Sequence, residues 1–209
     1  MLSFAKYRGV MRKIDKNIRP GDLFYIPAMS PENEVGVVVA RYIEDVPGNV
    51  GALIEVFKKF YLNFPVGKDE VDMSERLFRP VLCSFYFSEV PRWRIFAHDR
   101  DYDRSASAYS EIVFEFVPYL WVGGTKVWKG ELNGGDEFEK SICWRTLHLI
   151  FRVNAHLAGY FSASDAYDYH KLPVSERVDN KKAIAKVIEL AETVEVKLKS
   201  VSSAKIKKK

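Results

Sequence analysis

The stretch RPGDLFYIP at residues 19–27 decides how this sequence folds. Its Pro-Gly pair predicts a turn, because proline fixes φ and glycine relaxes the restriction on it. The apolar and aromatic residues that follow predict a β-strand that ends at Pro27. After a polar loop, VGVVVARYI at residues 35–43 predicts a second strand, and Gly36 within it indicates a bulge or a close backbone approach.

Short apolar runs separated by turn residues continue through the middle of the chain. The composition of residues 52–60 predicts a third strand, although it also allows a short helix. Further strands are predicted at residues 81–87, 92–97, 112–117 and 125–129. The last two flank Pro118 and the pair Gly123-Gly124, which predicts a hairpin. This spacing is typical of antiparallel architectures, so we predict a mainly β, α+β fold with an SH3-like barrel or a sandwich-like antiparallel core.

The last third of the sequence adds one or two helices to this core. Asp136 and Glu139 have the spacing of a capping box. Apolar residues then recur at helical intervals from Phe138 to Phe151. We therefore expect a C-terminal helix that opens near Asp136.

A second helix is predicted after Asn180, which is a candidate N-cap. Its apolar stripe consists of Ile184, Val187, Ile188, Ala191 and Val194. Lysines flank this stripe on both sides. We expect residues 1–180 to form a single β-rich domain with a packed helical segment, and residues 181–209 to form a lysine-rich helix and a flexible tail.

The net charge of +4 comes from the C-terminal end of the chain. From Lys181 onward nine lysines face three glutamates, whereas residues 1–180 hold 23 basic and 25 acidic residues. A body this close to neutral argues against a nucleic-acid surface spread over the whole fold. We therefore expect any contact with nucleic acid to be made through the basic tail alone.

The sequence favours a cytoplasmic location. It has no apolar run of the roughly 18–20 residues that a membrane-spanning helix needs, and we expect no contact with a membrane. Its first residues lack the apolar stretch of a secretory signal. Cys83 and Cys143 are too few for a disulfide framework, which makes a reducing compartment the simpler expectation. Both cysteines lie in apolar or amphipathic runs, and we expect both to be buried.

The sequence contains no self-sufficient catalytic motif, so we expect no enzyme activity, no metal and no cofactor. Asp99, Asp101 and Asp103 alternate as they do in a calcium-binding loop. That loop needs glycine at its sixth position and glutamate at its twelfth, where this chain has Arg104 and Ser110. A solvated turn or an acidic loop that faces a partner is the better interpretation.

A dispersed catalytic site stays open as a hypothesis, because such sites are assembled in space. Its sequence candidates are Cys143 and His148, and its signature would be a pocket with convergent polar groups around either residue. Neither cysteine lies in the glycine-rich turn that would expose and activate a thiolate. For any single tryptophan, including Trp121, we expect a place in the core more than on a binding face.

The opening strand, its polar loop and the glycine-containing second strand resemble the start of immunity protein family twenty-six of bacterial polymorphic toxin systems. Members begin with a Gly-Asp-aromatic-x-Ile-Pro strand, which residues 19–27 resemble, and have a later strand that ends in aromatics, which is similar to IEVF at residues 54–57. PRWRIF at residues 91–96 resembles their Trp-rich strand, and residues 121–128 resemble the hairpin that follows. The resemblance covers residues 17–130. The chain departs from it at His98-Asp99, where a glycine is common.

This resemblance implies a cytoplasmic immunity or antitoxin-like protein that binds and neutralises a cognate toxin without any catalytic residue. Because a toxin nuclease is commonly basic, we expect it to be bound by acidic loops. The predicted partner-binding residues are Glu32, Glu34, Glu44, Asp45, Asp69, Glu70, Asp72, Asp99, Asp101 and Asp103. The alternative is a nucleic-acid-associated module that combines an SH3-like barrel with the basic C-terminal tail.

Overall fold

The RPGD turn forms in the structure, a computed structural model that describes residues 18–46, 51–84, 94–128 and 138–206, with side chains as far as residue 200. The Asp22 backbone N–H donates to the Arg19 carbonyl oxygen at 2.9 Å, and Asp22 Oδ2 accepts from the Arg19 N–H at 2.8 Å. Gly21 has a φ of 92°, and a Cβ atom there would lie 2.7 Å from the Cβ atom of Tyr102. The turn therefore requires glycine at this position.

The described residues form two sheets. Their strands are β1 (Asp22–Met29), β2 (Val35–Val46), β3 (Gly51–Tyr61), β4 (Val81–Cys83), β5 (Arg94–His98), β6 (Val113–Phe116), β7 (Tyr119–Val122), β8 (Thr125–Trp128), β9 (Glu139–Lys140) and β10 (Cys143–Trp144). The larger sheet has the order β10-β4-β3-β2-β1-β5, and the smaller one has the order β8-β7-β6-β9. Neighbouring strands are antiparallel except in the β10–β4 and β6–β9 pairs, which are parallel.

The larger sheet is covered on both faces. The helices α1 (Thr146–Leu157) and α2 (Lys181–Ile206) pack against β1 and β2 and close the main core. Leu53 and Leu82 instead join a second core cluster with Phe114 of the smaller sheet, as the alternation of side chains along a strand requires. The larger sheet does not close on itself. Of the two predicted cores, the sandwich-like one is therefore confirmed and the barrel is not formed.

β1 and β2 confirm the first two predicted strands, with one difference at Pro27. The sequence predicted that β1 ends there, but the strand continues to Met29. β5 pairs with β1 only as far as Tyr25. Among the described residues, no strand pairs with Pro27 on that side of β1, and a residue without a backbone N–H is tolerated at such a position. Gly36 makes the predicted close approach, because a Cβ atom there would lie 2.3 Å from the Tyr61 carbonyl oxygen.

The hairpin predicted between residues 112–117 and 125–129 is a meander of three strands. β7 lies between the two expected strands and pairs with both β6 and β8. Pro118 and the pair Gly123-Gly124 therefore belong to separate turns. The strand predicted at residues 52–60 is confirmed as β3. Parts of the other predicted strands, at residues 85–87, 92–93 and 129, lie outside the described residues.

α1 begins later than the sequence predicted. Glu139, the expected third helical residue, lies in β9, and α1 starts at Thr146. The Glu139 carboxylate accepts hydrogen bonds from Arg152, so it is not available to cap a helix. The other half of the predicted capping box, Asp136, lies outside the described residues.

α2 begins where the sequence predicted. Asn180 Oδ1 accepts hydrogen bonds from the backbone N–H groups of Lys182 at 2.9 Å and Ala183 at 3.3 Å, which is N-cap geometry. The predicted stripe faces the protein, with Val187 and Val194 buried in the main core. In the part of the chain that the structure describes, no helix has the length and apolar character needed to cross a membrane.

Candidate functional site

A cavity of about 620 Å³ lies where the end of β2 meets the smaller sheet. We call it the β2 groove and define it by Glu44, Asp45, Arg104, Tyr109, Trp121 and Gly124. The first two of these residues are among the predicted partner-binding residues. The groove therefore combines the acidic side chains of Glu44 and Asp45, at the end of β2, with the aromatic side chains of Tyr109 and Trp121.

The position of Glu44 follows from a local irregularity in β2. The pairing of β2 with β3 shifts register between Tyr42 and Glu44. Such a bulge changes the direction in which the next side chains point. Ile43 packs into the second core cluster, and Glu44 reaches the groove with only 14% of its side chain exposed.

Glu44 is held by two residues from the segment between β5 and β6, Arg104 and Tyr109. Its Oε2 lies 2.7 Å from Nη1 of Arg104, and its Oε1 accepts a hydrogen bond from the Tyr109 hydroxyl group. The Arg104 guanidinium in turn lies 5.1 Å from the centroid of the Tyr109 ring, within cation–π range. Burial, then the hydrogen bond to Glu44 and its charge, raise the pKa of Tyr109 to about 12. The phenol therefore stays protonated and keeps donating to Glu44.

Asp45 is the exposed carboxylate of the groove. It accepts a side-chain hydrogen bond from Tyr42, three residues earlier in β2. Burial is the main cause that raises the pKa of the Tyr42 phenol, and Asp45 adds to it. Asp45 is thus oriented by a protonated phenol while its carboxylate remains accessible to solvent.

The aromatic wall of the groove depends on the Gly123-Gly124 turn. Trp121 is half-buried and meets Tyr109 edge to face, with ring centroids 5.7 Å apart. Gly124 has a φ of 89°, and a Cβ atom there would lie 2.8 Å from the Tyr109 hydroxyl oxygen. A larger residue would therefore push Tyr109 away from Glu44. The sequence suggested a core position for Trp121, whereas the structure places part of it at a cavity.

A second group of predicted acids gathers around Lys68. Its Nζ lies 2.6 Å from Oδ1 of Asp99, whose side chain is 7% exposed. The hydrogen bond to Asp99 is the largest cause that raises the pKa of Lys68, and the charges of Asp99, Asp101 and Asp69 add to it. The structure therefore brings together acids from two loops that are distant in sequence. Asp99 is buried in this pair, while Asp69 and Asp101 are exposed.

The remaining predicted acids have other positions. Asp103 caps the short 3-10 segment at residues 104–107 by accepting from the Ser105 N–H at 2.8 Å. Glu32 and Glu34 are exposed in the loop between β1 and β2. This loop lies at the opposite end of β1 from the RPGD turn. Because β1 has eight residues and a strand rises by about 3.3 Å per residue, the two ends are about 23 Å apart.

Two further acids belong to the connector after β3. Asp72 accepts from the Ser74 N–H at 3.1 Å, and its own N–H donates to the Tyr61 hydroxyl group at 2.7 Å. Because Tyr61 pairs with Val37 near the start of β2, Asp72 lies toward the end of the sheet that carries Glu34. Glu70 accepts from the Val66 N–H at 3.2 Å. The predicted residues are therefore divided between the two ends of the sheet.

The residues suggested for a dispersed catalytic site, Cys143 and His148, line neither the β2 groove nor the second cavity of the structure, which lies next to Phe78 and Glu139. Cys83 is buried as expected, whereas Cys143 is exposed, contrary to expectation. β10 is a two-residue edge strand, which explains this exposure. The Cys143 sulfur lies against Gly51. This contact partly shields the thiol from water, which raises its pKa and disfavours a reactive thiolate.

His148 is exposed on α1 and lines neither cavity. Among the described residues, no group of three or more His, Cys, Asp or Glu side chains is placed to hold a metal ion. The β2 groove is thus the site at which predicted residues and a cavity coincide. Arg104 and Tyr109, which organise it, were not predicted, because no sequence spacing links them to Glu44.

No protein-family model matches this chain, and no curated protein and no solved structure matches it either.

Proposed function

We propose that this protein is an immunity-type binding protein that neutralises a basic protein toxin, and that the β2 groove is the centre of its interface. The observation that carries this proposal is the fixed arrangement of Glu44, Arg104 and Tyr109 next to the half-buried Trp121. Protein interfaces are typically organised by aromatic anchors in preformed pockets with a polar rim. A groove that is rigid before binding loses less entropy on association.

The charge around the groove favours a basic partner. Glu44 and Asp99 are already paired with Arg104 and Lys68. Four predicted acids remain exposed on the same end of the sheet or on the loops beside it, namely Asp45, Asp69, Asp101 and Asp103. Complementary charge of this kind accelerates the encounter with a cationic protein and disfavours anionic partners.

Purification of a tagged full-length chain from its host, at moderate salt, tests this proposal. We expect one stoichiometric basic protein that inhibits growth when produced alone and is harmless when produced together with this chain. A matched variant in which Lys205, Lys207, Lys208 and Lys209 are replaced by Gln should capture the same protein in the same amount. Recovery of only nucleic acid or ribosomal proteins, lost in that variant or at higher salt, would support the nucleic-acid alternative instead.

A further inference from the structure

A fully buried arginine lies in an aromatic cluster away from the β2 groove. Arg152 of α1 has a side chain that is 1% exposed and is bound by Glu139. Its guanidinium carbon lies 4.6 Å from the ring centroid of Phe78, 5.0 Å from Trp144 and 5.7 Å from Tyr167. His156, one helical turn further on, lies between the rings of Phe78 and Tyr167, with centroids 4.9 Å and 6.4 Å away. We call Trp144, Arg152, His156 and Tyr167 the Arg152 cluster.

Unsatisfied polar atoms concentrate in this cluster. Across the described ranges, the buried side-chain nitrogen and oxygen atoms without a hydrogen-bond partner are Nε1 of Trp144, Nε of Arg152, both ring nitrogens of His156 and the hydroxyl oxygen of Tyr167. Native proteins leave few such atoms, and each is unfavourable for folding. Their convergence in one place, and not scattered through the core, indicates a binding site that is closed in its free state.

A cavity of about 530 Å³ adjoins the cluster. Phe78 and Glu139 line this cavity and also contact Arg152. Its opposite side is formed by Ala163 and Ser164. A volume of this size is typical of sites for small organic ligands. The four cluster residues do not line the cavity, so a ligand there reaches their unsatisfied atoms only when the segment between them moves.

The segment at residues 159–168 carries Tyr167 of the cluster and also Ala163 and Ser164, which line the cavity. Phe161 packs in a small satellite core with Ala155 and Leu172, apart from the main core. The Ser162 N–H donates to Asp165 Oδ2 at 2.6 Å, within the same segment. A segment that has few buried contacts opens locally at low free energy. This opening would expose Trp144 and Tyr167 to the adjoining cavity.

The chemistry of the cluster selects the ligand. The unsatisfied groups of Trp144 and Arg152 are N–H donors, a neutral His156 supplies one donor and one acceptor, and Tyr167 can do either. Donors are therefore in excess, and the ligand must supply acceptors. Arg152 is paired with Glu139 and Arg76 with Glu55. The remaining charged residues of the lining, Arg79 and Glu111, have opposite signs, so an anion would find no net positive charge there. The surrounding rings favour a flat molecule that can stack on them.

We propose that the Arg152 cluster and the adjoining cavity form a binding site for a small neutral heterocycle with hydrogen-bond acceptors, of the kind represented by a free nucleobase or nucleoside. This inference does not depend on the toxin-binding proposal, because the site shares no residue with the β2 groove.

Calorimetric titration of the full chain with adenosine, guanosine, cytidine and uridine and their free bases, with benzoate as a planar anion, tests the inference. We expect at least one neutral compound to bind at millimolar concentration or below. Tyr167→Phe and Trp144→Phe keep an aromatic ring but lose the unsatisfied group, so each should weaken binding about fivefold without lowering the melting temperature. Tyr160→Phe, an exposed position in the same segment, should leave the affinity unchanged.

Three results would overturn the inference: binding of none of the neutral compounds, binding of benzoate alone, or equal affinity in the wild-type protein and both cluster variants. If one cluster variant does not fold, the other still decides between these results.

Discussion

Arg152 of α1 and Glu139 of β9 form a two-point ion pair in the protein interior, with Nη1–Oε1 at 2.6 Å and Nη2–Oε2 at 2.9 Å. Both side chains are at least nine-tenths buried. The pair joins the first helix to an edge strand of the smaller sheet. A parallel double hydrogen bond of this kind also fixes the orientation of both groups.

Removal of one partner of this pair should destabilise the protein strongly. Arg152→Met leaves the Glu139 carboxylate buried without a counter-charge, and we expect the free energy of unfolding to fall by about 3–5 kcal/mol. Urea denaturation followed by circular dichroism measures this change. The double variant Glu139→Leu/Arg152→Met should recover most of the loss, because no buried charge remains. A loss of less than about 1 kcal/mol in the free energy of unfolding of Arg152→Met, the size expected for a surface ion pair, would contradict the burial of this pair.

A second prediction concerns the pH dependence of stability. Burial, and then the charge of Arg152, lower the pKa of His156 to about 4 from its ordinary value of 6.5, while the charge of Asp165 acts in the opposite direction. The unfolded chain therefore binds more protons between these two values, so stability falls as the pH is lowered from about 6.5 to about 4. The loss attributable to His156 is roughly 3 kcal/mol.

Chemical denaturation across this pH range checks the prediction, with His156→Phe as the control. The variant keeps a ring at this position but cannot titrate, so its stability should change less over the same range. Equal pH dependence in the two proteins would show that His156 is not the responsible group.

A third prediction concerns the network around Glu55. This buried carboxylate accepts from Nε of Arg41 and Nε of Arg76, each at 2.7 Å, and from the Ser107 hydroxyl group at 2.6 Å. Glu55→Gln leaves Arg41 buried without a counter-charge, and we expect a loss of about 3 kcal/mol in the free energy of unfolding. Glu75→Gln is the matched control, because its pair with Lys58 is exposed and should contribute less than about 1 kcal/mol. Similar losses in both variants would contradict this account.

A fourth prediction tests the glycine that shapes the β2 groove. Gly124→Ala places a Cβ atom 2.8 Å from the Tyr109 hydroxyl oxygen at a φ of 89°. We expect a destabilisation of about 1–3 kcal/mol in thermal or urea denaturation. Gly67→Ala is the control, because a Cβ atom there would meet no atom within 4 Å. A neutral Gly124→Ala variant would show that the groove tolerates movement of Tyr109.

Local signals in the sequence predicted the parts of the fold that depend on local contacts. The RPGD turn, β1 to β3 and the Asn180 cap each follow from residues within a few positions of one another. The predicted start of the first helix at Asp136 was wrong because Glu139 has a long-range partner in Arg152. That competition between a local cap and a tertiary ion pair has no local signature in the sequence.

The candidate site was predictable only in its acidic half. Glu44 and Asp45 stand out in the sequence as charges at the end of a β-branched strand. Arg104 and Tyr109 join them through the packing of one sheet on the other, and their separation from Glu44 in the sequence conceals this. Asp99, in contrast, was predicted to lie in a solvated turn or a partner-facing loop, but its side chain is buried and paired with Lys68. Surface charge can be counted from the sequence, whereas its pairing depends on tertiary structure.

If the proposed function is right, one end of the larger sheet binds a basic protein. The most direct test measures the affinity of the captured partner for Asp45→Lys/Asp101→Lys and for Glu32→Lys/Glu34→Lys, which change the net charge equally at opposite ends of β1. We expect affinity to fall by about 10- to 100-fold in the first variant and to stay within about threefold in the second, with unchanged melting temperatures. Equal losses in both variants, or a loss only in the second, would contradict the proposal.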